Sequence, residues 1–138
     1  MINQVLVIDD ESIVRDVLKN MLEILGYEAV AVPSGETALE TLEEDGASFD
    51  LVLVDMHMPG LSGPETVGRI REKLPEIPIL LVSGVEEGDL AELYQGHLID
   101  GFVHKPFRMV NLKESIEKVS SMVVARMKRT AAAGARNS

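Results

Sequence analysis

The stretch Leu51-Val52-Leu53-Val54-Asp55 is an uninterrupted aliphatic run that ends on a carboxylate. Apolar runs of this length, without polar alternation, are typical of strands buried on both faces of a parallel sheet. The chain contains further runs of this kind at residues 5–8, 79–82 and 101–104. The segments between the runs have apolar residues at helical spacing, so we predict an α/β fold of parallel strands joined by helices.

The segments between the runs also carry signals for the ends of helices. Gly26 is placed to end a first helix, and residues 27–32 predict a second, shorter strand. Ser34 is placed to cap a second helix. Ser62 begins a capping-box spacing that predicts a third helix, and Pro75 is placed to stop it.

The rest of the chain predicts two more helices and completes the topology. We expect a weak acidic helix around residues 87–95 and a last helix that reaches as far as Lys128. Five strands and five helices in alternation predict a doubly wound parallel sheet of the flavodoxin-like (βα)5 type, with strand order 2-1-3-4-5. We expect one domain at residues 1–124 and a basic, low-complexity extension at residues 125–138.

The composition restricts the classes of protein to which the chain can belong. The chain has no Cys, which excludes disulfides, thiol catalysis and cysteine metal sites. Neither a membrane-spanning stretch nor a secretory leader is evident, so we expect a cytoplasmic protein with no membrane partner. The net charge of −10 argues against direct nucleic-acid binding by the domain, although residues 118–138 carry basic residues and no acidic ones.

Polar side chains follow the carboxyl ends of the four apolar runs. They are Asp9 with Asp10, Asp55, Ser83 and Lys105. In an open α/β sheet the ligand crevice lies outside the carboxyl ends of the strands, so we expect these groups to meet at one edge. Clustered carboxylates suit Mg²⁺, and one carboxylate can act as a nucleophile toward a phosphoryl group.

Asp55 is the best candidate for the nucleophile because it ends the central strand. In the predicted order, the acidic pair lies about 4.8 Å to one side, one strand away, and Ser83 lies at a similar distance on the other side. Lys105 lies two strands away, about 10 Å, a gap that its side chain can largely bridge. Singly, each residue has a simpler explanation, such as a helix cap or a solvated amine. Their agreement at four strand ends favours a phosphoryl-transfer site.

Four motifs surround the strand ends: Val7-Ile8-Asp9-Asp10, Asp55-Met56-His57-Met58-Pro59-Gly60-Leu61-Ser62-Gly63, Val82-Ser83-Gly84 and Gly101-Phe102-Val103-His104-Lys105-Pro106-Phe107. Through these motifs, about residues 4–121 of the chain resemble the receiver domain of bacterial two-component response regulators. The resemblance implies a phosphorylation-activated switch in which Asp55 accepts a phosphoryl group from a histidine kinase or a phosphotransfer protein. It implies no enzyme activity beyond self-phosphotransfer and autodephosphorylation.

The resemblance also implies a Mg²⁺ site. Asp10 and Asp55 would bind the ion directly, and Asp9 would act through a water molecule. The backbone carbonyl of His57 would be a further ligand.

The remaining matching positions imply a switch. Ser83 would supply a hydroxyl and Lys105 a positive charge to the phosphate, and the Lys105–Pro106 bond would be cis. Phe102 would turn inward as Ser83 moves toward the phosphate. The face built by the fourth helix, the fifth strand and the fifth helix would then contact an output partner or a second copy of the chain.

Two other classes of protein share some of these features. A Mg²⁺-dependent aspartyl-phosphate phosphatase would normally have a second acid two residues after the nucleophile, where this chain has His57. A flavin-binding carrier is disfavoured because an acidic cluster repels the phosphate of such a cofactor when no metal is present.

Overall fold

The computed structural model describes residues 2–84 and 98–137 of the chain. Its strands are β1 Gln4–Ile8, β2 Glu28–Val32, β3 Leu51–Asp55, β4 Ile79–Ser83 and β5 Gly101–His104. Its helices are α1 Ser12–Ile24, α2 Gly35–Asp45, α3 Gly63–Lys73 and a C-terminal helix, Met109–Asn137, with a 3-10 turn at Gly46–Ser48. The helix predicted around residues 87–95 lies outside the described residues.

The strands form one parallel sheet, and its order β2-β1-β3-β4-β5 confirms the prediction. β3 lies at the centre and is buried along its whole length. In the sheet register, Ile8 pairs with Val54 and Asp55 pairs with Val82. The carboxyl ends of β1, β3 and β4 are therefore nearly level, so the residues that follow them meet at one edge.

Alternate residues of the strands face opposite sides of the sheet and form two apolar layers. One layer contains Val52 and Val54 of β3 and packs against α2 and α3 through Leu42 and Ile70. The other contains Leu51 and Leu53 and packs against α1 and the C-terminal helix through residues that include Leu22 and Ile116. Helices on both faces explain why the strands are continuously apolar.

Local signals set the ends of the helices as the sequence predicts. Gly26 follows α1 with a φ of +98°, a left-handed conformation that glycine adopts without the penalty that a Cβ would bring. The side chains of Ser34 and Ser62 cap α2 and α3, and each accepts a hydrogen bond from a backbone N–H three residues later.

The C-terminal helix is longer than the sequence predicts, since it continues past Lys128 to Asn137. The additional length of the helix is consistent with the alanine-rich stretch after Lys128, because alanine is the strongest helix former. Arg126 ties this helix to the body of the protein: its guanidinium lies 3.2 Å from Glu76 and 3.6 Å from Asp100. Among the described residues, no helix has the length and apolarity to cross a membrane.

Candidate functional site

Three carboxylates meet at the carboxyl edge of the sheet. Asp9 and Asp10 follow β1, and Asp55 is the last residue of β3. Each offers an oxygen, and these oxygens lie within 4.8 Å of one another. Asp9 is 1% exposed and Asp55 is 4% exposed, whereas Asp10 faces solvent. The sequence prediction that these residues converge is confirmed in the geometry.

Asp9 has two oxygens with different surroundings. Oδ1 accepts a hydrogen bond of 2.9 Å from the backbone N–H of Glu11, and so helps to start α1. Oδ2 is buried and accepts no hydrogen bond among the described residues, although the Lys105 ammonium lies 3.6 Å from it. A buried carboxylate oxygen without a donor is costly unless a cation compensates it. This oxygen and its neighbours are hard oxygen ligands, so the donor set fits a divalent cation such as Mg²⁺.

Lys105 reaches the acidic cluster from the loop after β5. Its Nζ lies 3.3 Å from Asp55 Oδ1 and 3.6 Å from Asp9 Oδ2, so the side chain spans the two-strand gap. Its backbone N–H donates to the carbonyl of Ser83, and its peptide bond to Pro106 is cis. Partial burial acts to lower the pKa of Lys105, but the carboxylates of Asp55 and Asp9 outweigh it and hold that pKa above its usual value.

The pKa of Asp55 is also raised, and for a different reason. Burial disfavours its charged form, and the nearby charge of Asp9 adds to this effect. Lys105 and a hydrogen bond from the backbone of His57 oppose the shift without cancelling it. Asp55 is therefore a carboxylate that is poorly solvated and is repelled by an acidic neighbour.

The predicted switch residues lie on β4 and β5. Ser83 ends β4, is 1% exposed, and pairs in register with His104. Its hydroxyl lies 3.5 Å from the sulfur of Met56, next to the acidic cluster. Phe102 is half-buried against the apolar layer that faces α3, and its ring meets that of His104 edge to face at 4.8 Å.

The loop between β3 and α3 folds back onto the site. The backbone N–H of Met56 donates to Val82, and the N–H of Gly63 returns to the carbonyl of Met56, each at 3.0 Å. The side chain of His57 is exposed, while its backbone faces Asp55. Sequence reasoning missed Arg15, whose guanidinium donates to the Asp9 carbonyl at 2.8 Å, because no motif marks a contact from one turn inside α1.

Replacing Gly63 with Ala is expected to destabilise the protein by ~1–3 kcal/mol. A Cβ at this position would overlap the carbonyl oxygen of Asp55 and would lie 2.6 Å from the Cα of Met56. Gly68→Ala in the same helix is the matched control, since a Cβ there would have no neighbour within 4 Å apart from the helix's own backbone. It should stabilise the protein by about 0.5–1 kcal/mol. Urea unfolding measures both, and equal effects of the two changes would contradict the close approach at Gly63.

Asp55→Asn is expected to stabilise the metal-free protein by about 1 kcal/mol near neutral pH. Because the pKa of Asp55 is raised, the folded state binds more protons than the unfolded state as the pH rises above the usual aspartate value. The ionised carboxylate therefore costs stability, and the advantage of the variant should be small near about pH 4 and grow toward about pH 7. Urea unfolding over this range tests the expectation, with the exposed Asp45→Asn as control. A variant less stable than wild type at neutral pH would refute it.

Known proteins share this fold and are similar to the chain in sequence. The model of the response regulator receiver domain family matches residues 5–117. The chemotaxis protein CheY of Pseudomonas aeruginosa is 36% identical over 124 residues, which are 87% of this chain and 98% of that protein. The chain therefore belongs to the response regulator receiver domain family of two-component signalling systems.

Two further relatives illustrate the range of proteins that contain this domain. The solved structure of the response regulator protein TrrA from Thermotoga maritima, in complex with Mg²⁺ and BeF, has a TM-score of 0.75 and 34% identity. That match covers 84% of this chain and 97% of the other. The sensor kinase CckA of Brucella abortus is 36% identical over 118 residues, which are 83% of this chain but 12% of the kinase.

Proposed function

We propose that the protein is a signalling switch that is activated when Asp55 accepts a phosphoryl group in the presence of Mg²⁺. One observation carries the proposal: Asp55 is a buried carboxylate with two acidic neighbours and a lysine ammonium 3.3 Å from its Oδ1. Family membership supports the same role. The complex of TrrA with Mg²⁺ and BeF supports Mg²⁺ as the ion, because that relative binds both components at once.

The proposed reaction is a transfer of one phosphoryl group. A carboxylate oxygen of Asp55 forms a bond to phosphorus as the bond from phosphorus to the donor breaks. That bond is P–N in a phosphohistidine and P–O in a small acyl phosphate, and the leaving group departs with its electron pair. Asp55 would then carry an acyl phosphate. In the autodephosphorylation step, a water oxygen would form a bond to phosphorus as the bond from phosphorus to the Asp55 oxygen breaks. Inorganic phosphate and a proton would leave, and the carboxylate would be restored.

The other site residues have proposed roles that follow from their positions. Asp10, Asp55 and the backbone carbonyl of His57 would hold Mg²⁺, with Asp9 acting through water. The bound ion would neutralise charge on the phosphoryl oxygens. Lys105 would exchange its contact with the Asp55 carboxylate for one with those oxygens.

The proposed switch follows from the position of Ser83 beside the cluster. Ser83 would donate its hydroxyl to a phosphoryl oxygen, and Phe102 would move deeper against its apolar layer. The output would leave through β5, the start of the C-terminal helix and the predicted fourth helix, which lies outside the described residues. An output protein or a second copy of the chain would dock on that face.

Partners, location and domain limits complete the proposal. Family membership supports a histidine kinase or a phosphotransfer protein as the donor and a cytoplasmic location. The net charge of −10 supports the proposal that the domain contacts neither nucleic acid nor an anionic membrane. We propose that residues 1–124 form the receiver unit and that residues 125–138 are its extension. No observation favours the phosphatase alternative, since position 57 carries an exposed histidine rather than an acid.

Intact mass after incubation with a small acyl phosphate tests the proposed reaction. The protein is expected to gain one phosphoryl group when Mg²⁺ is present and almost none when a chelator removes it. Incubation with a simple phosphomonoester is the control, because a phosphatase would release phosphate from it continuously. Sustained release of phosphate from the monoester would overturn the proposal. A phosphoryl mass gain that is the same with and without the chelator would also overturn it.

A further inference from the structure

A carboxylate of α2 accepts a hydrogen bond from the loop between β3 and α3, near the end of the loop that precedes α3. Glu36 lies in the first turn of α2, and its Oε1 accepts a hydrogen bond of 3.0 Å from the backbone N–H of Leu61. This contact joins residues that are far apart in the chain. It lies just beyond the part of the loop that presents the backbone of His57 to Asp55.

The backbone of the loop is shaped to meet this carboxylate. Gly60 has a φ of +74°, in the left-handed region that favours glycine. A Cβ at Gly60 would lie 2.9 Å from Glu36 Oε1, so only glycine allows this approach without displacing the carboxylate. The loop therefore has both a backbone conformation and a residue type that suit the contact.

Glu36 is itself held in place by the start of α2. Thr37 donates its backbone N–H to the Ser34 hydroxyl at 3.1 Å, which fixes the first turn. Gly35 lies so close to α3 that a Cβ there would overlap the Thr66 hydroxyl and would lie 3.0 Å from the Cβ of Leu61. Hydrogen bonds from the backbone N–H groups of Glu36 and Leu61 hold the pKa of Glu36 below its usual value, so the acceptor is ionised at neutral pH.

We propose that Glu36 is a positioning residue for the Mg²⁺ site, which it serves by fixing the loop of residues 56–61 through Leu61. The inference rests on the proposed function, because it assumes that the His57 carbonyl is a ligand. A loop released at Leu61 would have to be ordered when the ion binds, and affinity would fall. In the proposed role, Glu36 acts through Leu61 and contacts neither the ion nor the phosphoryl group.

Three substitutions of Glu36 distinguish the effect of its side-chain length from the effect of its negative charge. Glu36→Gln keeps an oxygen at the same distance but removes the charge, whereas Glu36→Asp keeps the charge but withdraws it by one methylene. Glu36→Ala removes both. Glu40→Ala is the control, since Glu40 is an exposed acid on the same helix. Calorimetric titration with Mg²⁺ gives the affinity, and hydrogen exchange of the Leu61 amide in metal-free protein gives the state of the contact.

We expect the Ala and Asp variants to bind Mg²⁺ about tenfold more weakly, with the Gln variant and the Glu40 control near wild type. The Leu61 amide should exchange faster in the same two variants, before any metal is added. Unchanged affinity in the Ala and Asp variants would overturn the inference. An equal loss of Mg²⁺ affinity in Glu36→Gln and Glu36→Ala would also overturn the inference, because the loss would then follow from the missing negative charge. If wild-type protein bound no Mg²⁺, the proposed function itself would fail, whatever the Leu61 amide did.

Discussion

Asp55→Asn is expected to abolish the phosphoryl mass gain that Mg²⁺ and a small acyl phosphate produce in the wild-type protein. The carboxamide is a poor nucleophile, and no equivalent carboxylate occupies its position at the end of β3. Asp9 is the nearest buried acid, but one of its oxygens already accepts the N–H of Glu11 and the other faces Lys105. We therefore expect no transfer of the role to a neighbour.

Asp45→Asn is the matched control for this loss, because it makes the same chemical change at an exposed residue of α2. It should be labelled as wild type is. Since Asp55→Asn is also expected to be the more stable protein, its loss of labelling would not be explained by unfolding. Retention of the mass gain in Asp55→Asn would remove this residue from the reaction.

Lys105→Ala is expected to lower the affinity of the protein for a beryllofluoride mimic of the phosphate while leaving Mg²⁺ binding intact. The ammonium lies 3.3 Å from Asp55 Oδ1, where it can contact a group attached to that oxygen. Loss of one charge-assisted contact costs about 2 kcal/mol, or roughly thirtyfold in affinity. Mg²⁺ should bind at least as tightly to the variant, because its cluster has lost a competing cation.

Hydrogen exchange of residues 101–110 with and without the mimic measures the conformational response. Wild-type protein is expected to change protection on β5 and the start of the C-terminal helix, and Lys105→Ala to change it much less. Lys113→Ala, an exposed lysine of the C-terminal helix, is the control. An equal response in wild type and Lys105→Ala would show that the ammonium does not couple the phosphate to β5.

The strand order and both layers of the sheet were predictable because the aliphatic runs admit few alternatives. A run such as 51–54 is too short for a buried helix and too apolar for a solvated strand, and the intervening helices require parallel neighbours. The end of the C-terminal helix was harder to place. Helix propensity rises in its alanine-rich part while the apolar stripe ends, and the two signals disagree.

The convergence of the acidic cluster was predictable for a similar reason, since topology alone brings the carboxyl ends of β1 and β3 together. The contacts of Arg15, Glu36 and Gly63 were not predictable. Each depends on how a loop or a helix end folds back over the sheet, and no periodicity records such a contact. The lack of a hydrogen bond at the buried Oδ2 of Asp9 is likewise visible only once burial and the positions of its neighbours are known.

Reduction of the phosphorylated protein with borohydride, followed by peptide mass spectrometry, tests the central claim most directly. Borohydride converts an aspartyl phosphate to homoserine and leaves a free carboxylate unchanged. We predict homoserine at position 55, in amounts that follow the Mg²⁺-dependent mass gain. Homoserine at Asp9 or Asp10, or a mass gain that leaves residue 55 an aspartate, would contradict the account.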